Sequence, residues 1–217
     1  MAPLSTRGWR PFNRVTANTE LKVQDLAVAT YQVNTTGSIT LLAVPITGAD
    51  FNARIGRRIR LKSLFLRGRI MLEGLNSVTL NQPYIAQAQQ GRLMIVFDLQ
   101  PNGAAPAITD ILNTADPASH LNLNNRDRFR VILDQEFFLD PAVYNTANST
   151  SAWARTGQNV KKYKKINLDM IFNAVNGGTV ADIASGALYM VWIGSAAAGT
   201  NTDMNFIGAT RVRYQDA

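Results

Sequence analysis

The chain has 217 residues, 46% of them hydrophobic, and carries a formal net charge of +7. That apolar fraction supports a sizeable core and excludes wholesale disorder. With no cysteine and a single histidine, His120, a disulfide framework, a cysteine nucleophile and a thiolate or His-rich metal centre are excluded.

Residues 1–19 are polar and irregular and read as a basic arm, in which Arg7, Arg10 and Arg14 are interleaved with Trp9 and Phe12. Cations mixed with aromatics suit single-stranded nucleic acid, because bases stack on rings and phosphates pair with arginine. From residue 20 onward the apolar periodicity is mostly two, which predicts strands. Eight are expected: Leu21–Val33, Ser38–Ile46, Arg57–Leu72, Arg92–Leu99, Arg128–Leu139, Lys162–Phe172, Ala187–Ile193 and Phe206–Tyr214. Turn chemistry separates them at Asn34-Thr35-Thr36-Gly37, Pro101-Asn102-Gly103, Asn176-Gly177-Gly178 and Gly199-Thr200-Asn201. One short helix is expected at Ala107–Asn113, with Pro106 at its first position. The segment Pro141–Gln158, rich in Asn, Thr, Ser and Ala, reads as a long surface loop. Trp192 is expected in the core and Trp153 in an interface. Eight antiparallel strands with long connections and one short helix point to an all-β fold: a single two-sheet jelly roll over residues 20–217.

The charge is localised. Arg54, Arg57, Arg58, Arg60, Lys62, Arg67 and Arg69 lie in one stretch without an acid, and the remaining 15 basic and 15 acidic residues cancel. Such a patch favours a polyanion. Alternation places Arg58, Arg60 and Lys62 on one face of their strand, opposite Ile59, Leu61 and Ser63. The same alternation carries Arg67 and Arg69 onto the face of Ile59 and Leu61, and Gly68 reads as a bend or bulge. Further cationic groups are Arg126, Arg128 and Arg130, then Lys161, Lys162, Lys164 and Lys165 around Tyr163, then Arg211 and Arg213. Spaced cations on strands, without a groove-reading helix, suit phosphate contact rather than base readout.

Catalysis finds little support. The aspartates sit mostly at strand ends and turns, where they close the chain, and neither a nucleophile elbow nor a phosphate-binding loop is present. No cofactor, no metal and no catalytic residue is expected. No apolar run reaches the ~18 residues of a membrane-spanning helix and no signal segment is visible, so no membrane insertion is expected either.

Asp50-Phe51-Asn52-Ala53-Arg54-Ile55-Gly56-Arg57-Arg58-Ile59, followed by Lys62-Ser63-Leu64-Phe65-Leu66-Arg67-Gly68, resembles a block in capsid proteins of small circular, Rep-encoding single-stranded DNA viruses of circovirus-like type. Three further pieces look like the same family. They are Val96-Phe97-Asp98 leading to Thr109-Asp110-Ile111-Leu112, Asn125-Arg126-Asp127-Arg128-Phe129, and Thr210-Arg211-Val212-Arg213-Tyr214-Gln215-Asp216. Their order is also similar to coat proteins of satellite plant RNA viruses. The resemblance implies a jelly-roll coat subunit, with about 60 copies closing a T=1 icosahedral shell in the virion. The partners it implies are further copies of the chain and a single-stranded genome, DNA ahead of RNA; the host receptor is unknown. It carries nucleic-acid contact to Arg54, Arg57, Arg58, Arg60 and Lys62, with Lys161, Lys162, Lys164, Lys165, Arg211 and Arg213 as additional candidates. Arg57–Lys62 also has the composition of a nuclear import signal, although a strand must open before it is read as one.

One departure concerns charge. Family members begin with a long arginine-rich arm, and here residues 1–19 hold three arginines. About 60 subunits at +7 supply on the order of 400 positive charges, against one phosphate per nucleotide of a kilobase-scale genome. Either a longer arm belongs to the protein, or polyamines and metal ions supply the remainder. Competing readings are a lectin-like or trimeric ligand-like jelly roll, which needs no inward basic strand, and an enzyme on a β-sandwich. Particle size separates the coat reading from both.

Overall fold

The computed structural model describes residues 20–72, 88–140, 144–145, 150–151, 157–197 and 204–216. In chain order the elements are β1 (Lys22–Val33), β2 (Ser38–Leu41), β3 (Arg58–Leu72), β4 (Gln89–Asp98), α1 (Ile108–Ile111), β5 (Phe129–Leu139), β6 (Tyr144–Asn145), β7 (Thr150–Ser151), β8 (Gly157–Phe172), β9 (Ile183–Ser185), β10 (Ala187–Gly194) and β11 (Met204–Asp216). All eight expected strands form. Five make one sheet in the order β1-β11-β3-β8-β9, and four make the other in the order β2-β10-β4-β5. Every pairing between the long strands is antiparallel. Consecutive long strands β1/β2, β3/β4, β5/β8 and β10/β11 each cross from one sheet to the other. That alternation is the jelly roll.

Local chemistry sets the crossings. Between β1 and β2, the Asn34 side-chain oxygen accepts the backbone N–H groups of Thr36 and Gly37 at 3.1 and 3.2 Å. Gly37 has φ +72°, and a Cβ there would meet Ile108 at 2.8 Å, so the turn requires glycine. Strand β2 ends at Leu41, earlier than the expected Ile46. The chain leaves the ladder there: the N–H of Val44 is taken by the Gln24 side chain at 2.7 Å, and Pro45 has no N–H to give. Helix α1 is shorter than expected, and Pro106 lies one residue before its Ala107 cap rather than at its first position. Asp110 closes it by accepting the Ala107 N–H at 2.8 Å, and the extended Leu112 then bridges Leu121. The expected Gly199 turn and Trp153 lie outside the described residues.

The core fills the space between the sheets. Trp192 of β10 stacks on Phe206 of β11 at 4.5 Å, with Phe137 and Tyr31 each 6.0 Å from one of these rings. Gly68 of β3 and Gly208 of β11 lie opposite each other beneath that cluster. A Cβ on Gly68 would meet the Phe206 ring at 2.6 Å and the Ile207 carbonyl at 2.4 Å; on Gly208 it would meet the ring at 2.4 Å. Gly68 therefore makes room for an aromatic ring and does not mark a bulge.

The two sheets differ on their outer faces. Strands β4 and β10 are buried along almost their whole length, because the 99–128 connection covers them. Ile108, Ile111 and Leu112 of that connection join the core. Arg92 of β4 donates to the Pro117 and Ser119 carbonyls and forms a two-pronged ion pair with Asp134 at 2.6–2.7 Å. The five-stranded sheet alternates buried and accessible residues in β3, β8 and β11, as a sheet with one bare face does.

Candidate nucleic-acid interface

Strand β3 runs through the centre of the bare face. Ile59 and Leu61 are fully buried while Arg58, Arg60 and Lys62 are accessible, as alternation requires. At Lys62 the register shifts against both neighbours: Leu61 pairs with Tyr214 and Leu168, and Ser63 with Arg213 and Lys165. This bulge inverts the alternation. Leu64, Leu66 and Ile70 become the buried set, and Phe65, Arg67 and Arg69 turn outward. Arg67 and Arg69 thus join Arg58 and Arg60 on the solvent face, contrary to the face that unbroken alternation assigns them.

The cross-strand register builds rows on this face. One row is Val23, Arg213, Ser63 and Lys165; the next is Asp25, Arg211, Phe65 and Tyr163; a third includes Ala209, Arg67 and Lys161; a fourth includes Thr30, Ile207, Arg69 and Asn159. Among the described residues, the face gathers nine cations (Arg58, Arg60, Lys62, Arg67, Arg69, Lys161, Lys165, Arg211 and Arg213) against two carboxylates, Asp25 and Asp169.

Both carboxylates are engaged. Asp169 accepts from Arg60 at 2.6 and 3.1 Å and also pairs with Arg58. Arg60, then Arg58, pull its pKa down to about 2. Asp25 takes a two-pronged hydrogen bond from Arg211 at 2.8 and 2.6 Å, which holds its carboxyl below the usual range. Among the described residues, Lys62, Arg67, Arg69, Lys161, Lys165 and Arg213 have no carboxylate partner. Six cations without a carboxylate partner on an accessible sheet face are the side-chain type that phosphate contact uses. Between Arg211, Phe65, Arg67 and Val28 lies a shallow hollow of about 380 Å³.

Several expected residues lie elsewhere. Arg54 is buried, with 2% of its surface exposed. It donates to the carbonyls of Pro45, Gly56 and Val175 at 3.1, 2.8 and 2.7 Å and lies over the Phe172 ring at 4.3 Å. Burial lowers its pKa. Arg54 is a structural tie between loops, not a phosphate ligand. Arg57 precedes β3 and donates to the Phe172 carbonyl at 3.1 Å. The lysine group of β8 divides by alternation. Lys161 and Lys165 face outward, whereas Lys162 and Lys164 pair in register with the buried Leu66 and Leu64 and belong to the opposite face. In the Arg126 group, Arg128 binds the buried Asp98 at 2.9–3.0 Å, Arg126 lies 3.7 Å from Asp127, and Arg130 is exposed. Arg7, Arg10 and Arg14 lie outside the described residues.

The model of the geminivirus coat protein/nuclear export factor BR1 family matches residues 4–217. A coat protein of Maize white line mosaic Satellite virus is 30% identical over 135 residues, which is 61% of this chain and 58% of that protein. The match thus spans little more than half of that relative. Among solved structures, the chain is similar to that of Desmodium yellow mottle tymovirus, with 11% identity, 96% of this chain and 95% of the other covered, and a TM-score of 0.29. It is also similar to infectious bursal disease virus Gx strain, with 12% identity, 89% and 31% covered, and a TM-score of 0.25. Likeness at that level carries no weight, and the fold rests on the strand order.

Proposed function

Because the chain belongs to the geminivirus coat protein/nuclear export factor BR1 family, we propose that it closes a small T=1-like shell of about 60 copies and holds a single-stranded genome on the bare face of its five-stranded sheet. The family role is structural, not enzymatic, and its place is the capsid of the virion. The single observation that carries the packaging reading is the asymmetry of the two sheets. One outer face is covered by the 99–128 connection, and the other is open, with nine cations against two carboxylates among the described residues. Turning the open face inward concentrates positive charge where the genome lies and leaves the covered face for the exterior.

Phosphate contact by strand cations neutralises repulsion between subunits, so assembly and packaging reinforce each other. If all six uncompensated cations reach phosphates, the salt slope for a single strand is about −4, and affinity falls a few hundredfold between 50 and 200 mM salt. DNA is the favoured genome, in keeping with the family. Negative-stain microscopy of the purified protein, with the ratio of absorbance at 260 and 280 nm on the same fraction, tests the reading. Uniform round particles with a nucleic-acid excess are expected. A small oligomer in all salts, or particles that stay empty at low salt with genome-length single strands present, would overturn it.

A further inference from the structure

An aromatic pair stands in the middle of the cationic face. Phe65 and Tyr163 are register partners on β3 and β8, and Tyr163 is 58% exposed. The pair Arg67–Lys161 lies on one side of them and Ser63–Lys165 on the other. Arg211, the neighbour of Phe65 on β11, is neutralised by Asp25. The face therefore has free cations around an aromatic centre whose nearest charge is cancelled. The ring offers a face on which a planar base can lie, which the surrounding cations do not.

We infer that Tyr163, with Phe65 beside it, is a stacking platform for unpaired nucleobases, so that this face selects single-stranded over duplex nucleic acid. The inference rests on the packaging reading above. The placement of the ring between two free lysines supports it. Lys161, Tyr163 and Lys165 follow one another at about 6.7 Å along the strand, two residues at a time. In a duplex the π-faces are closed by neighbouring bases and the edges by pairing partners, whereas an unpaired strand held by the flanking lysines can turn a base onto the ring. Stacking is tolerant of sequence because every base has a π-face, as a coat protein that covers a whole genome requires.

The test is anisotropy of labelled oligonucleotides on dissociated full-length subunits at fixed salt. The probes are oligo-dT, an abasic oligodeoxynucleotide of equal length, and a duplex. Tyr163→Ile keeps a strand-forming apolar residue but removes the ring; Tyr163→Trp keeps the ring. The expected result is that Y163I weakens oligo-dT binding by about 5- to 100-fold, leaves abasic and duplex binding unchanged, and that Y163W binds oligo-dT like the parent. Equal loss on oligo-dT and the abasic strand, no loss on either, or failure of Y163I to form particles would overturn the stacking role; the last would make Tyr163 a subunit contact. Lys161→Ala/Lys165→Ala serves as the control for the underlying reading. It should weaken oligo-dT and abasic binding alike, and if it weakens neither, the packaging face itself is misassigned.

Discussion

Replacing Arg54 by methionine separates a structural cation from a functional one. Arg54 sits in the basic stretch that carries the net charge, yet its guanidinium donates to three backbone carbonyls, those of Pro45, Gly56 and Val175, at 2.7–3.1 Å. Methionine conserves much of the volume and keeps contact with the Phe172 ring, so little cavity is expected. What is lost is three hydrogen bonds from a charged donor, each worth about 1.5–3 kcal/mol. The Nε–Pro45 bond is buried and cannot be replaced by water; the two Nη bonds are half-buried and partly can. A net loss of about 3–5 kcal/mol follows, which for a chain of this size lowers Tm by roughly 6–20 °C. Arg67→Ala is the counterpart. Arg67 is exposed with no carboxylate partner among the described residues, so its stability cost stays within about 0.5 kcal/mol. Calorimetry and oligonucleotide binding on both variants give opposite patterns. R54M melts early but binds normally when folded; R67A melts normally and binds more weakly. An R54M subunit with parental Tm and reduced binding would refute the assignment of Arg54 to the scaffold.

Gly68→Ala drives a methyl group to 2.6 Å from the Phe206 ring and 2.4 Å from a backbone carbonyl. The expected cost is about 1–3 kcal/mol of overpacking, read as a lower denaturation midpoint; an unchanged midpoint would show that Phe206 is free to move. The Asp169 carboxyl should titrate at about 2 in the folded protein instead of 3.8, as carbon-13 NMR would record. Its depressed pKa means the pairing with Arg58 and Arg60 adds stability above pH 3.8 and surrenders it as pH falls toward 2. Asp169→Asn releases both arginines, so oligonucleotide affinity at low salt should rise and the salt slope steepen by up to about 1.4, while stability falls by at most about 2.5 kcal/mol, the linkage equivalent of that pKa shift. Weaker binding by D169N would mean that the carboxylate orients the arginines for phosphate.

Period-two patterning made the eight strands legible, since each strand of the five-stranded sheet keeps one bare face. The uninterrupted apolar runs Leu93–Phe97 and Leu188–Ile193 mark strands covered on both faces, and this is where the 99–128 connection lies. The candidate site was legible only in part. A bulge adds a residue without changing composition, so nothing in Lys62-Ser63-Leu64 announces that Arg67 and Arg69 change face. Likewise, the alternation that splits Lys161 and Lys165 from Lys162 and Lys164 depends on which phase of β8 meets Leu64 and Leu66. Burial of Arg54 arises from carbonyls up to 121 positions away, and neutralisation of Arg211 from an aspartate 186 positions away. Such partners are a property of topology. The aromatic pair Phe65–Tyr163 was overlooked for the same reason: neither residue is unusual until β3 and β8 are paired.

The central claim, that the bare sheet face holds the genome, is tested most directly by the variant Arg67→Ala/Arg69→Ala/Lys161→Ala/Lys165→Ala. All four side chains are accessible and without carboxylate partners among the described residues, so the variant should fold and assemble. The measurement is the salt dependence of single-strand binding, with the nucleic-acid content of the particles recorded alongside. The slope should shrink by about 2.8 and the particles should carry much less nucleic acid. An unchanged slope and full particles would contradict the account and place the genome on another surface.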